Sequence, residues 1–459
     1  MSARSPVRLL FVSSRGDAGW GGETYLLQAM KYLDRERFEP LVLLPEEGTL
    51  RPILEGQGVR VEVVPANYGW NGPDPAWYKT LREIEPRVRR LVAFLRAEGI
   101  GLIHTNSNFH MDAALAGRIC GVRHLYLAHI QMQEDTSLFQ RLRLDPASHA
   151  RLMGHISDGI VAVSRSVAER LSPPLPPEKV RVIHNGVETE AFDTALAHPV
   201  RPLHSEFPLP EDALIVLGVG RLTRDKGFDI FLEAARRIAA RHPRAWFFIA
   251  GGPAEQPVEE DLARRVRDPA FGGRAHLLGF RDDIRDVLAE ADVFVLSSRL
   301  EGHPYVLLEA MAARCAPIAA LCQGVDETLD EGIDGLKIPT EDPAALVTAL
   351  ETLLTDQEQR ERLAAAAHRK IRDRFHARHS IAGLQQVYED ILSAPPPLPG
   401  DPGVTLFLRA ATEIGVLGGR VTAMEPKVRA SEDFMRRLKA LPPLSWARTL
   451  VRRFARRPA

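Results

Sequence analysis

Three cysteines in 459 residues organise nothing. Cys120, Cys315 and Cys322 lack metal-ligand spacing, and an odd number closes no disulfide framework, which fits a reducing cytoplasm. Net charge is missing too. Lysines and arginines number 59 against 60 acidic residues, leaving −1, so no bulk field draws the chain to nucleic acid. No apolar run is as long as a transmembrane span, and the early LLFV is too short for the core of a signal peptide. These absences set the expectation of a cytoplasmic protein, peripheral to the inner membrane face if it meets a membrane at all. What is present is 45% hydrophobic and 26% charged, the composition of a soluble globular chain. The length exceeds one ordinary core, so two domains are expected.

Short apolar runs alternate with helical patterns along most of the chain. VRLLFVSS (7–14), PLVLLP (40–45), VRVEVV (59–64), GLIHTNS (101–107), HLYLAH (124–129), GIVAVS (159–164) and VRVIHNG (180–186) read as strands of a first domain, 1–192. Residues 193–212 are proline-rich and aperiodic, the signature of an interdomain linker. The rhythm restarts with ALIVLGVG (213–220), WFFIAGGP (246–253), AHLLGF (275–280), DVFVLSS (292–298) and APIAAL (316–321). These define a second domain, 213–393, with its last helix free to return to the first. A tail, 394–459, opens on APPPLPGDPG. Strand–helix alternation of this kind predicts doubly wound α/β parallel sheets, with ligands outside the carboxyl ends of the strands.

The stretch SSRLEGHPYVLLEAMA, 297–312, is the richest in chemistry. A buried strand leads to a turn, and Pro304 suits the first turn of a helix whose apolar stripe is Leu307, Leu308, Met311 and Ala312. Unpaired N–H groups at a helix start favour an anion such as phosphate. Glu301 would stand just before that start and Glu309 roughly 7–8 Å further along the helix. A carboxylate on each side of a phosphate site suits a diphosphate with a hydroxylated ring at either end. Taken singly, either glutamate could merely cap or solvate its helix. Arg221 ends a strand and Lys226 lies in the next turn before Gly227, a cation pair able to clamp a diphosphate or simply to sit on the surface. The first loop holds Gly16, Gly19, Gly21 and Gly22, which permit close backbone approach without matching a dinucleotide fingerprint.

Histidines recur at strand ends as His104, His129 and His184; His129 directly ends its strand, while His184 belongs to a turn with Asn185 and Gly186. Arg281, Asp282 and Asp283 could border a nucleotide base, or an Asp could cap the next helix. Glu327, in a turn-rich loop, could reach a ligand or simply be exposed.

GGET (21–24), HNGVE (184–188), GRLTRDKG (220–227), GGP (251–253), LGF (278–280) and EGHPYVLLEAMA (301–312) together resemble the retaining glycosyltransferases of family 4. The last of these matches that family's E-x7-E signature, and the resemblance covers roughly residues 7–393. It implies the GT-B fold: two facing Rossmann-like domains, the first binding acceptor and the second binding a nucleotide-diphosphate sugar, with no further cofactor and no metal. Carried across, Arg221 and Lys226 would neutralise the diphosphate and Glu309 would hold the donor ribose. Glu301 and the backbone of Gly302, His303, Pro304, Tyr305 and Val306 would hold sugar hydroxyls and phosphate. Gly22 would approach the diphosphate from the opposite domain, and His129 would lie near the sugar and acceptor. Departures from the pattern are Arg314 and Gln323 at places usually glycine, and His303 for an aromatic. The implied reaction is front-face displacement with retention. A glycosidase-like use of the two glutamates, a non-catalytic nucleotide-sugar-binding module and a nucleotide-sugar epimerase of the same architecture are the competing readings.

Two basic amphipathic patterns, 83–99 with Arg87, Arg89, Arg90 and Arg96, and the segment after His129, read as solvated helical faces, with contact to an anionic acceptor or anionic lipid heads as the alternative. In the tail, 434–457 carries basic residues and no acid, with Trp446, Leu450 and Phe454 on one helical face. It predicts contact with an anionic membrane surface, a docked structural helix or a disordered tail being the alternatives, and suits a saccharide or lipid-linked acceptor.

Overall fold

The computed structural model describes residues 5–64, 77–107, 110–129, 146–171, 175–252 and 255–428. Two wholly parallel sheets form the frame. The first contains β1 (Val7–Val12), β2 (Phe38–Leu44), β3 (Arg60–Val63), β4 (Leu102–Thr105), β5 (Arg123–Ala128), β6 (Gly159–Ala162) and β7 (Val180–Val182), in the order β3-β2-β1-β4-β5-β6-β7. The second contains β8 (Leu214–Val219), β9 (Ala245–Ala250), β10 (Ala275–Gly279), β11 (Val293–Leu296), β12 (Ala316–Ala320) and β13 (Leu336–Ile338), in the order β10-β9-β8-β11-β12-β13. Helices cover both faces of each sheet, so central strands such as β9 and β11 are buried along their whole length and read as unbroken apolar runs. The expected strands are all present. β13, only LKI, escaped the sequence reading because three residues show no period.

The stretch 193–212 is not wholly irregular. It holds the end of the helix Thr189–Ala197 and the short helix Pro202–Glu206. The second is pinned to the C-terminal half, where the Glu290 carboxylate accepts the N–H groups of Leu203 and His204 at 2.7 and 3.0 Å. A cap supplied from so far along the chain leaves no local pattern to read.

The helix Ala377–Ser393 crosses back to the N-terminal half. Val187 exchanges backbone bonds with Phe375 and Ala377 (2.9 and 3.0 Å), and the Tyr388 hydroxyl meets His104 Nδ1 at 2.6 Å inside the first core. Beyond it, the helix Pro402–Val428 lies on the helices Trp77–Arg82, Ile84–Glu98 and Asp112–Cys120, burying Val404, Leu408 and Ala411. The basic segment 434–457 lies outside the described residues.

Two expectations about surfaces need correction. Arg87 is not on a solvated face: it is 3% exposed and its Nε donates to Asp112 at 2.6 Å. Glu327 is not an exposed loop residue either. Its carboxylate accepts the N–H groups of Arg165 and Ser166 (2.9 and 3.2 Å) and meets His184 Nε2 at 2.8 Å, tying the second half of the chain to the first.

Candidate active site

The carboxyl ends of both sheets face one cleft. On the C-terminal side, β8 runs into Arg221 and a tight turn, Arg224–Lys226, closed by Gly227 at φ +65°. A side chain at Gly227 would place Cβ 2.0 Å from the Ser297 carbonyl oxygen, so only glycine lets this turn press against the end of β11. Ser297 Oγ completes the junction by donating to the Lys226 carbonyl at 3.0 Å.

That contact brings Lys226 to Glu301. Lys226 Nζ lies 2.7 Å from Glu301 Oε1, and Ser298 Oγ donates to the same oxygen at 2.7 Å. Both side chains are largely buried, 16% and 10% exposed, where an ion pair is weakly screened. Arg221 is not in contact with Glu301. Its guanidinium, more exposed, binds Asp225 Oδ2 at 3.0 Å, and Asp225 also lies 3.9 Å from Lys226 Nζ. Thr223 Oγ1 holds the other oxygen of Asp225. The cluster is therefore internally neutral, with Arg221 at its open edge.

The turn after Glu301 leads through Gly302 and His303 to Pro304, the N-cap of the helix Tyr305–Ala312. No side chain caps this helix start, leaving its first N–H groups for another acceptor. Glu309, one turn in, has no side-chain partner among the described residues. Burial pushes its carboxyl up to about 6, with Arg285 pulling it back. Its pocket is thus short of hydrogen-bond donors, which vicinal hydroxyls would supply.

His303 takes a different place from the others. It is buried between His184 and Phe375, with Nε2 3.2 Å from Thr328 Oγ1, and burial pulls its ring down to about 3. Its carbonyl accepts from Asn185 Nδ2 at 2.8 Å, so this residue joins the two halves. Arg281 is likewise occupied: it grips both oxygens of Glu206 (2.8 and 2.7 Å) and both of Asp283 (2.7 and 2.6 Å). Asp283 stands at a helix N-cap but spends its carboxylate on Arg281 instead of the helix N–H groups. Arg314, where the pattern has glycine, keeps the left-handed backbone at φ +60°.

The N-terminal side supplies Gly22, Asn106 and His129. Gly22 is the second residue of the helix Gly21–Tyr32, whose N-cap, Trp20, offers no side-chain cap. A Cβ on Gly22 would meet nothing closer than Asn106 Nδ2 at 3.7 Å and His129 Nε2 at 3.8 Å. The protein itself therefore leaves room there. Gly302 differs sharply, since its Cβ would fall 1.9 Å from the His129 carbonyl oxygen. The two walls touch at that point, and Gly21 adds a second contact against the Tyr305 ring. His129 is half-buried at the end of β5, edge-on to Tyr25, and burial pulls its imidazole down to about 4. Asn106 was not singled out from the sequence, although its place directly after β4 in GLIHTNS was a usable signal. Among the described residues no group of His, Cys, Asp and Glu is arranged to hold a metal ion.

Two parallel α/β domains meeting at the carboxyl ends of their sheets, with a last helix crossing back, define a GT-B protein. Residues 20–191 match the model described as Glycosyltransferase Family 4, and 201–370 match Glycosyl transferases group 1. The alpha-D-kanosaminyltransferase of Streptomyces kanamyceticus is 30% identical over 55% of this chain and 67% of its own length. The lipopolysaccharide core biosynthesis glycosyltransferase LpsE of Rhizobium meliloti is 28% identical over 52% of this chain, which spans 65% of the length of LpsE. The crystal structure of Anabaena Alr3699/HepE in complex with UDP-glucose superposes with a TM-score of 0.70 at 21% identity, over 83% of this chain and 99% of that one. The chain belongs to the glycosyltransferases that join a family 4 domain to a group 1 domain.

Proposed function

We propose that this protein transfers a sugar, with retention of configuration, from a nucleoside-diphosphate sugar to an acceptor hydroxyl in saccharide or glycoconjugate synthesis. The observation that carries this reading is the placement of the Lys226–Glu301 pair at an uncapped helix mouth, directly across the cleft from Gly22 and His129. The diphosphate lies at that mouth, with Lys226 and Arg221 meeting the charge it gains as it leaves; cations placed where charge develops can supply several kcal/mol. Glu309 accepts from the ribose hydroxyls and Glu301 from hydroxyls of the transferred sugar. The bond between the anomeric carbon and the phosphate oxygen breaks. The acceptor oxygen bonds to that carbon from the same face, and the departing phosphate oxygen takes its proton. No protein nucleophile and no metal take part.

The HepE complex holds UDP-glucose, which makes UDP-sugars the first donors to try. The name of LpsE supports a saccharide acceptor, free or lipid-linked. Anchoring belongs to the tail: deleting residues 434–459 is expected to lessen binding to vesicles containing anionic lipid while sparing hydrolysis of free donor.

The test is a thermal-shift screen of UDP-, GDP- and ADP-sugars, since a bound donor raises apparent stability by mass action. NMR of the product formed by the stabilising donor follows, with and without EDTA. A product of the donor's own anomeric configuration, formed in EDTA, is expected. An isomeric donor released without acceptor would make the protein an epimerase, and an inverted product would overturn the mechanism.

A further inference from the structure

His129 is held by a residue that the roles above leave unassigned. Asn106 follows β4 and extends its ladder by one bond, its N–H donating to the Val12 carbonyl at 3.0 Å, and the residue is 2% exposed. Its amide makes two bonds. Nδ2 donates to the Gly22 carbonyl at 2.6 Å, and Oδ1 lies 3.0 Å from His129 Nε2. A carbonyl oxygen can only accept, so Gly22 dictates which end of the amide carries hydrogens. The other end is then an acceptor, and the ring nitrogen facing it must bear the proton. In an uncharged imidazole the remaining nitrogen, Nδ1, has a lone pair and no hydrogen. Nδ1 has no partner among the described residues.

We infer that Asn106 is a positioning residue that locks His129 in the Nε2–H tautomer, so that Nδ1 faces ligands only as an acceptor and takes a hydrogen bond from a sugar hydroxyl. A phosphate oxygen, having no hydrogen to give, is refused at this position. The imidazole thereby sorts the two ends of the donor, admitting the sugar beside β5 and leaving the diphosphate to the opposite wall. Gly22 couples the two roles, since the backbone that borders the diphosphate site also orients the amide. This inference rests on the transferase reading for its ligand but not for its tautomer.

Long-range 1H–15N correlation of the His129 ring in the full-length protein at neutral pH, assigned by comparison with His129→Gln, reads the tautomer without any turnover. The expected result is a single Nε2–H form in the unaltered protein and a mixture in Asn106→Ala. An Nδ1–H form, an imidazolium, or an unchanged tautomer in Asn106→Ala would overturn the inference. For kinetics, Asn106→Ala should lower kcat about tenfold, one hydrogen bond's worth, with little change in donor KM. Deoxy donors, lacking one hydroxyl at a time, identify the partner: one of them should lose about tenfold with the unaltered enzyme and nothing further with Asn106→Ala. Additive losses for every deoxy donor would remove the sugar hydroxyl as the ligand. If no donor is turned over, the transferase reading fails, while the NMR result still decides whether Asn106 sets the tautomer.

Discussion

The C-terminal wall of the cleft carries the ion pairs of Arg221 with Asp225 and of Lys226 with Glu301, and Glu309 one turn into the following helix, whereas the facing positions of the N-terminal wall are Gly22, Asn106 and an uncharged His129. The ionic wall is already neutral within itself, Lys226 answering Glu301 and Arg221 answering Asp225. Removing Lys226 or Glu301 alone is therefore expensive, because it strands the other in a poorly solvated place, whereas Arg221 and Asp225 are partly exposed and are cheaper to change. The uncharged wall is held by hydrogen bonds, from Asn106 to the Gly22 carbonyl and to the His129 ring. On the proposed reading, the side chains that meet the diphosphate come from one domain, while the hydroxyl groups meet residues of both.

The sharpest way to break this contrast is at Lys226. Replacement by Ala leaves Glu301 buried without its cation and is expected to lower stability by about 3 kcal/mol and kcat/KM by roughly a thousandfold. Denaturant unfolding and steady-state kinetics measure the two losses. Adding Glu301→Gln should restore much of the stability and none of the activity; restored activity would show that the pair is structural only.

Gly22→Ala probes the opposite wall. Because the added Cβ finds ordinary contact distance at 3.7 Å, thermal stability should hardly move, yet donor affinity should drop about tenfold or more if backbone meets diphosphate there. Gly302→Ala is the control, for its Cβ would strike the His129 carbonyl at 1.9 Å and must part the walls. Equal destabilisation by both would erase the distinction between room left for a ligand and contact between domains.

Glu309 separates the walls by pH. Its carboxyl is raised from 4.5 to about 6, so the folded protein holds its proton where the unfolded chain has released it. Stability from this group is full below about 4.5 and is lost as pH rises through 6; Glu309→Gln should therefore gain on the order of 1–2 kcal/mol at pH 8. Donor affinity runs the other way, since hydroxyls donate to the ionised form. It should fall as pH drops through about 6, and calorimetry on Glu309→Gln should show weaker binding without that step.

Arg281→Ala should have the smallest effect. With its fork bound by Glu206 and Asp283 and both acids partly exposed, about 1 kcal/mol of stability is expected to go, and donor affinity to stay within about threefold. A larger loss of affinity would return Arg281 to the nucleotide site.

Much of the fold was legible because parallel strands covered on both faces are written as apolar runs such as WFFIA and DVFVL, which need no partner to be recognised. Of the candidate site, the residue types and their positions after strands were legible, including Arg221, Lys226, Glu301 and Glu309. Partnerships were not. An arginine in an amphipathic pattern looks the same whether it faces water or, as Arg87 does, lies buried on Asp112. Glu327 in a turn-rich loop gives no local sign that it bonds His184 of the other half.

The amino-acid order by itself determined where strands and helices lie and which chemistry ends each strand, because periodicity and turn formation act over a few neighbouring residues. Only the tertiary structure decided that Lys226 reaches Glu301 while Arg221 turns to Asp225, that His303 is packed away, and that Asn106 governs His129. Those choices depend on two sheets meeting at their carboxyl ends. Contacts between residues so far apart in the chain have energies set by burial and by the orientation of donors and acceptors, which no short stretch of sequence contains.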